Sequence, residues 1–446
     1  MTPDQQRTPA DLLVSGSLLL TGNDWAERIP DGAIAVHAGR ILAVGPAAEL
    51  RASHQAAEEL DAAGCVLLPG LVNAHTHAGM TLFRGLADDL PLLEWLETHI
   101  FPAERRLTGE MVFWGTLLAC AELLRAGTTT VGDMYLFSHR AAAAFKQAGL
   151  RALVGEGLFD FPSPSYGAAE NGLRFTADLW RQWRGDPLIR VGVMPHAAYT
   201  CSPELLRRCA GLADELAAPL VMHVAETRGE TERLQRAHGC RPMAHLEALG
   251  LLGPRFLAVH GVDLDDADIE RLARSGAKLA HCPESNLKLA AGIAPVPRLL
   301  AAGVAIGLGT DGAASNNNLD LFGEMDCCAK IHKLAAGPTA MPAATVLRLA
   351  TAGGATALGF GDELGMLAPG RLADFIAVDF RQPHLTPCHD PVSHLVYAAR
   401  GGDVRHSVIH GRVVMRDRRL TTIDEVEAMA RVSEFAAPFR RRPARP

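Results

Sequence analysis

The feature that most constrains the fold is a repeat between residues 66 and 312, where eight short apolar runs alternate with longer segments of helical periodicity. The runs are VLLPGLVNAHTH, GTTTVGDMY, RALVGEGLF, IRVGVMPHAAY, PLVMHVAET, FLAVHGVDL, AKLAHCPESN and AIGLGTDGAA. Residues 110–125 and 203–217 are typical of the helical segments between them, and Ser202 is a natural cap for the second. Eight strands alternating with helices predict a (β/α)8 barrel of the TIM type, although an open eight-stranded sheet would leave a similar trace.

The polar residues favour the barrel, because they collect at the carboxyl ends of the runs, where barrel enzymes place their sites. The sequence pattern at both ends of the chain predicts short strands separated by turns. We therefore predict a barrel over residues 67–368 beside a small discontinuous β-sandwich, formed by residues 1–66 and 369–446 with a C-terminal tail. Helical segments after Asn318 and Met341 are expected to pack outside the barrel.

The amino-acid composition limits the classes of molecule that the protein is expected to bind. With 48% apolar and 21% charged residues the chain is globular, and 43 basic against 50 acidic residues give a formal charge of −7. This balance gives no electrostatic reason to expect nucleic acid or an anionic membrane as a partner. Residues 62–83 carry no charge but contain Pro69, Gly70 and two histidines, which is not the pattern of a membrane span.

The nine cysteines include no C-x-x-C pair, and the first eleven residues carry acids without an apolar segment. Neither a disulfide framework nor a secretory signal is therefore expected. Reduced thiols packed as small apolar side chains indicate a cytoplasmic protein.

Several residues that bind metals stand at the ends of different runs. His75 and His77 are two apart on one run, so both imidazoles would face the same side of a strand. His223, His260 and Asp311 end three further runs, and Glu226 follows His223 by three residues. Imidazoles with one carboxylate suit zinc or ferrous iron. The fourth run has no lysine that could bridge two metals, so we predict one metal ion, with zinc favoured and iron left open.

Four sequence motifs resemble those of a known protein family. PGLVNAHTHAGMTLFRGLADDLPLLEWL, HVAET, HCPESNLKLAAGIAPV and GTDGAASNNNLDLF resemble the amidohydrolase superfamily. Within its TRZ/ATZ-like branch they are similar to the S-adenosylhomocysteine/5′-methylthioadenosine deaminases, over essentially the whole chain.

The resemblance implies a role for individual residues. It assigns the metal ligands to His75, His77, His223 and Asp311, the acid/base to Glu226, and the activating histidine to His260, with Asp311 also taking part in catalysis. Further implied substrate contacts, besides Glu226 and Asp311, are Glu104 with the ribose hydroxyls, His196, Trp95 near the 5′ substituent, and Ser315.

The implied reaction is hydrolytic deamination at C6 of adenine in a small nucleoside, giving an inosine-type product and ammonia. A metal-bound hydroxide would attack C6 while Glu226 moves a proton to N1. His260 and the second oxygen of Asp311 would hold the hydroxide.

One departure bears on the 5′ group. Glu156 stands where relatives that hold an amino-acid tail usually have an arginine, and a carboxylate there would repel that tail. Adenosine, 5′-deoxyadenosine and 5′-methylthioadenosine are therefore more strongly expected as substrates than S-adenosylhomocysteine, unless Arg174 compensates for the charge of Glu156.

Other functions stay open at this stage. The first alternative is a guanine, cytosine or 8-oxopurine deaminase or a triazine chlorohydrolase, which would not need Glu104 as a ribose contact. A binuclear hydrolase of cyclic amides is opposed by the missing lysine, and an inactive scaffold by the complete ligand set. The pathway and the oligomeric state, including a homo-oligomer, are not fixed by the sequence.

Overall fold

The computed structural model describes residues 7–439, whose regular elements are numbered here in chain order. The strands are β1 (Thr8–Leu19), β2 (Ile29–His37), β3 (Arg40–Pro46), β4 (His54–Asp61), β5 (Cys65–Pro69), β6 (Leu71–Thr76), β7 (Thr128–Tyr135), β8 (Arg151–Leu158), β9 (Ile189–Val191), β10 (Met194–Pro195), β11 (Leu220–Val224), β12 (Phe256–His260), β13 (Lys278–His281), β14 (Ile306–Leu308), β15 (Phe375–Asp379), β16 (Val404–Ile409), β17 (Arg412–Arg416) and β18 (Arg419–Leu420).

The α-helices are α1 (Ala47–Ser53), α2 (Leu92–Trp95), α3 (Phe101–Glu104), α4 (Gly109–Arg125), α5 (Ser138–Ala148), α6 (Gly172–Trp183), α7 (Pro203–Glu215), α8 (Arg228–His238), α9 (Pro242–Ala248), α10 (Asp266–Ser275), α11 (Pro283–Lys288), α12 (Val296–Ala301), α13 (Leu321–Ala336), α14 (Ala343–Arg348), α15 (Gly354–Ala357), α16 (Pro391–Tyr397) and α17 (Glu425–Ala436). A π-helical turn, Leu96–Ile100, joins α2 to α3.

Helix starts follow the capping residues of the sequence. The Ser202 hydroxyl accepts a hydrogen bond from the Leu205 amide at 3.2 Å where α7 begins, and Thr108 does the same for Met111 at 3.3 Å where α4 begins. Both predicted helices are confirmed to within two residues at each end. The helices expected after Asn318 and Met341 are α13 and α14.

The central strands form two parallel sheets. One has the order β10-β8-β7-β6, with β9 also paired to β8, and the other has the order β11-β12-β13-β14. Isolated parallel bridges between Val193 and Leu220 and between Thr76 and Asp311 join the outer strands, so the sheets meet along both edges. The fourth predicted strand is interrupted: it forms β9 and β10.

Strands of both sheets share one apolar core. Its buried side chains include Val72 of β6, Leu153 of β8, Val221 of β11 and Leu257 of β12, together with Leu358 from the segment after α15. Because side chains alternate along a strand, the inward positions of these strands meet in this cluster. The carboxyl ends of the parallel strands lie beyond it and carry the polar residues described below.

The remaining strands come from both ends of the chain. They form one mixed sheet of nine strands, in the order β18-β17-β16-β15-β5-β1-β2-β3, with β4 paired to β1. The two ends meet where β5 pairs antiparallel with β15. Val14, Ile34, Phe375 and Val408 share one core cluster, so strands from both ends of the chain pack on one apolar core. Residues 1–6 and 440–446 of the predicted outer segments lie outside the described residues.

A buried ion pair connects the mixed sheet region to β8. Arg151 donates from Nε and Nη2 to the two oxygens of Asp374, at 2.8 and 2.9 Å, and both side chains are at most 2% exposed. The Asp374 carboxylate also accepts the His410 amide at 2.8 Å. The pair is therefore fully hydrogen-bonded, as a buried charge must be.

All nine cysteines lie within the described residues and are unpaired, as expected. Within residues 7–439, no single helix has the length and apolar composition of a membrane span. Only the segments Leu92–Glu104 and Gly109–Arg125 reach them together, and these are bent by 116°.

Candidate active site and metal centre

Four predicted ligands converge at the carboxyl ends of β6, β11 and β14. The Nε2 atoms of His75, His77 and His223 lie 3.2 to 3.3 Å from one another. Asp311 Oδ1 lies 3.5 Å from His75 Nε2 and 3.2 Å from His77 Nε2. Four donor atoms from three separate parts of the chain therefore surround one point.

The spacing of these donors fits a tetrahedral metal ion. Ligand atoms about 2.0–2.1 Å from a tetrahedral zinc ion are separated from one another by about 3.3–3.4 Å. The measured donor separations are within about 0.2 Å of this value. Three imidazoles and one carboxylate also have the chemistry of a zinc or iron site, so the residues fit a single divalent metal.

The backbone brings these donors together through a close approach of the loop after β14 to strand β6. The Asp311 amide donates to the His75 carbonyl at 3.0 Å, and the Asn73 side chain bonds both the hydroxyl and the amide of Thr310, at 2.7 and 3.1 Å. A methyl group at Gly309 would lie only 2.9 Å from the backbone nitrogen and oxygen of His75. Glycine is required there because no side chain fits between the loop and the strand.

Hydrogen bonds at the opposite ring nitrogens orient two of the imidazoles. His223 Nδ1 lies 2.8 Å from the carbonyl of His196, and His77 Nδ1 contacts the carbonyl of Met134. A carbonyl can only accept, so Nδ1 carries the proton and Nε2 keeps its lone pair for a metal. Burial, with the charges of neighbouring histidines, lowers the pKa of His223 well below its usual range, which favours the neutral ring that binds metals.

Two hydroxyl groups hold the Asp311 carboxylate. Ser285 and Ser315 both donate to Oδ2, at 2.7 and 2.8 Å, which leaves Oδ1 facing the histidines. Ser315, which is expected to contact the substrate, lines the cavity, but its hydroxyl donates to Asp311. The backbone of Asp311 has a φ of +58°, a left-handed conformation that is costly for a non-glycine residue and is often found at functional sites.

Glu226 and His260 stand beside the four donors. His260 Nε2 lies 3.8 Å from Glu226 Oε1, and both side chains are buried. The His260 ring lies 5.5 Å from that of His223 and 6.0 Å from that of His75, measured between centroids. Burial raises the pKa of Glu226, which suits a group that must both accept and release a proton near neutral pH.

The backbone around Glu226 is fixed by Glu230, at the start of α8. The Glu230 carboxylate accepts the amides of Ala225 and Glu226, at 3.1 and 2.8 Å. The Thr227 hydroxyl caps α8 by accepting the Glu230 amide at 3.2 Å. Strand β11, the turn after it and α8 thus form one hydrogen-bonded unit that carries His223 and Glu226.

These groups open into one cavity. Its wall includes three further predicted contacts: Trp95 and Glu104, from the segment Leu92–Glu104, and His196, which follows β10. His196 Nδ1 lies 2.9 Å from the Thr200 hydroxyl, and burial together with the charges of His77 and His75 lowers its pKa to about 3. Nine of the ten predicted site residues therefore line one cavity. The tenth, His75, is buried beside it, with its Nε2 3.3 Å from that of His77.

The Glu104 carboxyl is the acidic group of the cavity that lies apart from the metal donors. Burial raises its pKa to about 7, against the opposing effects of the Tyr135 hydroxyl and of His77. It therefore changes charge close to neutral pH.

The structure does not place the Glu156 carboxylate among the cavity-lining groups, so the expected repulsion of an amino-acid tail has no geometric basis. The carboxylate is buried and accepts hydrogen bonds from the Phe137 and Ser138 amides, at 3.2 and 2.8 Å, and from the Ser138 hydroxyl at 2.7 Å. It also contacts the Ser165 hydroxyl. Glu156 therefore ties the first turn of α5 to the loop after β8.

Arg174 and His281 are not part of the donor cluster. Arg174 is hydrogen-bonded to Asn171 on the exposed side of α6 and cannot compensate within the cavity. The Nε2 atom of His281, the first residue of the motif HCPESN, lies 3.4 Å from that of His332 on α13.

Sequence reasoning missed Ser285 and Asn286, which contact Asp311 and His260. Both stand inside the motif HCPESN, which carries part of the resemblance, but their partners are distant in sequence. Their position at the end of the seventh apolar run was the available signal.

The chain matches known proteins over almost its whole length. The model of the amidohydrolase family matches residues 66–414, and a bacterial imidazolonepropionase-like composite domain matches residues 32–54. A 5-methylthioadenosine/S-adenosylhomocysteine deaminase of Syntrophobacter fumaroxidans is 60% identical over 428 residues, which cover 96% of this chain and 98% of that protein.

Two solved structures extend the comparison. An adenosine deaminase of Xanthomonas campestris with bound zinc is 42% identical, with a TM-score of 0.95 over 97% of this chain and 99% of that one. A zinc complex of an atrazine chlorohydrolase from Arthrobacter aurescens shares the fold at 24% identity, with a TM-score of 0.88 over 95% of this chain and 100% of that one. On the extent of the family match and the identity to its relatives, the chain belongs to the amidohydrolase family.

Proposed function

We propose that this protein is a metal-dependent aminohydrolase that replaces the 6-amino group of adenine in adenosine-type nucleosides with oxygen. The observation that carries the proposal is the convergence of four metal-type donors with Glu226 and His260 beside one cavity whose wall includes Glu104. The names of the relatives, at 60% and 42% identity, support the same reaction.

We propose zinc as the metal, held by His75, His77, His223 and Asp311. The donor spacing and the zinc in the Xanthomonas relative support this choice over iron. A bound zinc ion lowers the pKa of a water molecule, so that hydroxide is available at neutral pH.

Glu226 is the group that moves protons. Its carboxylate takes a proton from the attacking water and delivers it to N1 of the adenine ring, which makes C6 more electrophilic. After water adds to C6, a second proton transfer through Glu226 lets the amino group leave as ammonia. His260 Nε2, 3.8 Å from Glu226, holds the attacking water by accepting one of its hydrogen bonds.

Glu104 and the aromatic wall bind the nucleoside. Glu104 accepts the ribose hydroxyls, a contact that a free base or a triazine cannot make. His196 contacts the purine, and its ring is held between Phe159 and His223, at 5.0 and 4.9 Å between centroids. Trp95 covers the 5′ end of the ribose.

The cavity favours a small or apolar 5′ substituent. Among residues 7–439, none of the side chains that line it is an arginine or a lysine, while Leu92, Leu96 and Leu289 are part of its wall. The carboxylate of a homocysteine tail therefore lacks a cationic partner there. An adjoining groove, which shares Glu104, Phe101 and Phe159 with the cavity, is bordered by Arg105.

We further propose that the two parallel sheets close into the (β/α)8 barrel of residues 67–368. The bridges along both edges support closure. Residues 1–66 and 369–446 supply the second domain, as the pairing of β5 with β15 supports. The nine unpaired cysteines support a cytoplasmic location.

Two experiments test the proposal. Glu226→Gln keeps the size of the side chain but cannot move protons, so kcat should fall by about 10²–10⁴-fold with metal content unchanged. Near-normal turnover by this variant would refute the role of Glu226.

The second experiment compares kcat/KM for adenosine, 5′-methylthioadenosine and S-adenosylhomocysteine, with Arg105→Ala as the matched variant. The first two should be preferred. Equal turnover of the third, lost in Arg105→Ala, would instead place the amino-acid tail in the adjoining groove.

A further inference from the structure

Ser285 and Asn286 lie between two groups that act on the attacking water in the proposed reaction. Strand β13 is hydrogen-bonded to β12 on one side and to β14 on the other, and α11 begins two residues after β13 ends. Successive residues of this helix therefore reach the ends of both neighbouring strands. Ser285 and Asn286 are 0% and 2% exposed.

Ser285 reaches the β14 side. Its hydroxyl donates to Asp311 Oδ2 at 2.7 Å, and the Ser315 hydroxyl donates to the same oxygen from the opposite loop. With Oδ2 held by two donors, the carboxylate cannot rotate, and Oδ1 stays within 3.5 Å of both His75 and His77. A hydrogen bond to a buried carboxylate from outside the donor set is the usual way of fixing such a group.

Asn286 reaches the β12 side. Its Oδ1 lies 2.9 Å from His260 Nδ1, and within the described residues its Nδ2 is buried without a hydrogen-bond partner. An amide oxygen can only accept, so this contact puts the His260 proton on Nδ1. The lone pair then lies on Nε2, which faces Glu226 at 3.8 Å.

The two contacts differ in what they control. Removing the Ser285 hydroxyl leaves Ser315 on the same oxygen, so the orientation of Asp311 is protected by a second donor. Asn286 is the one hydrogen-bond partner of His260 Nδ1 in the described structure, so the tautomer of His260 depends on this residue alone. Substitution of Asn286 is therefore a stricter test of these contacts than substitution of Ser285.

We propose that Ser285 and Asn286 are a positioning pair, in which Ser285 fixes the rotamer of Asp311 and Asn286 fixes the tautomer of His260. Neither touches the nucleoside. This inference rests on the proposed deamination, because it assigns His260 Nε2 as the acceptor for the attacking water. The tautomer, rather than the charge, of His260 is what Asn286 sets.

The test compares Asn286→Asp with Asn286→Leu. Aspartate keeps an oxygen acceptor of the same size, whereas leucine keeps the volume and removes the acceptor. Asn286→Leu should lower kcat by about 10–100-fold with KM and metal content unchanged, and Asn286→Asp should recover most of that loss. Asn23→Asp and Asn23→Leu, at an exposed position in the mixed sheet region, are the matched controls and should behave like the wild type.

Each outcome decides the proposal. If both Asn286 variants keep wild-type kcat, Asn286 has no positioning role. If both variants are equally impaired, the Asn286 amide donates a hydrogen bond to His260 instead of accepting one, and the assigned tautomer is wrong. This outcome requires only that the aspartate variant is folded and metal-replete. If the wild type deaminates no nucleoside, the proposed function itself fails, which separates that failure from failure of this inference.

Ser285→Ala tests the other half of the pair. The variant should release metal to a chelator faster than the wild type, and Ser285→Ala with Ser315→Ala should do so faster still, because Oδ2 then has no hydroxyl donor. Ser275→Ala, at the end of α10, is the matched control. Equal release by the wild type and the double variant would overturn the role of Ser285.

Discussion

Replacing Gly309 by alanine tests how closely the loop after β14 must approach β6 for the metal donors to converge. The added methyl group would lie 2.9 Å from the His75 nitrogen and oxygen and 3.1 Å from Cys282 Sγ. The His75 backbone cannot move freely, because its carbonyl accepts the Asp311 amide at 3.0 Å and its amide donates to Asn73 Oδ1 at 3.3 Å. The loop after β14 must therefore move away from β6.

The size of the effect follows from this contact. Relieving a 2.9 Å contact between a carbon atom and backbone atoms requires a shift of about 0.5–1 Å, since such atoms normally pack at about 3.5–4.0 Å. Overpacking of this kind costs about 1–3 kcal/mol. The same shift moves Asp311 away from His75 and His77, so metal affinity should fall by about 10–100-fold. Metal content after equilibrium dialysis and the free energy of unfolding of the metal-free protein measure the two effects separately.

Gly211→Ala is the matched control. Gly211 is an exposed position within α7, and no atom outside its own helix lies within 4 Å of an added methyl group. Alanine should stabilise the protein by about 0.4–1 kcal/mol and leave metal binding unchanged. Wild-type metal affinity in Gly309→Ala would refute the reasoning, because the donors would then not depend on the approach of the loops.

Three further predictions concern charge, stability and metal. Because the pKa of Glu104 is raised to about 7, KM for adenosine should rise as the pH falls from about 8 to 6 and the carboxylate is protonated; steady-state kinetics should show a flatter KM profile for Glu104→Gln. Arg151→Leu leaves the Asp374 carboxylate buried without its guanidinium partner and should lower the free energy of unfolding by about 3–5 kcal/mol in urea titrations. The control Arg181→Leu breaks an exposed ion pair and should change the free energy of unfolding by less than about 1 kcal/mol. Zinc at about 100 times its Kd should stabilise the metal-free protein by about 2.7 kcal/mol in thermal melts, and His223→Ala should abolish most of this stabilisation.

The sequence predicts a site residue well where that residue occupies a regular position in the repeat of apolar runs. His75 and His77 stand two apart at the end of one apolar run, and His223 and Asp311 end two others, so all four are expected at the carboxyl ends of parallel strands. The strand ends are set by local alternation of apolar residues, which is visible in a single sequence.

Contacts between distant side chains could not be predicted in this way. Glu156 reads as a charge at a strand end, but its carboxylate bonds the first turn of α5, because that turn has free amides that a buried carboxylate can satisfy. Ser315 and Ser285 both bond one oxygen of Asp311, a geometry fixed by two loops whose approach depends on Gly309. Such pairings depend on tertiary packing, which leaves no periodic trace in the chain.

The most direct test of the central claim is the reaction of the zinc-replete protein with adenosine in water enriched in heavy oxygen. Ammonia release and mass spectrometry of the nucleoside product would be followed together. We predict inosine that carries the heavy oxygen at C6, one ammonia for each nucleoside consumed, and loss of both after metal removal. Turnover of a free base or a triazine, with no conversion of adenosine, 5′-methylthioadenosine or S-adenosylhomocysteine, would contradict it.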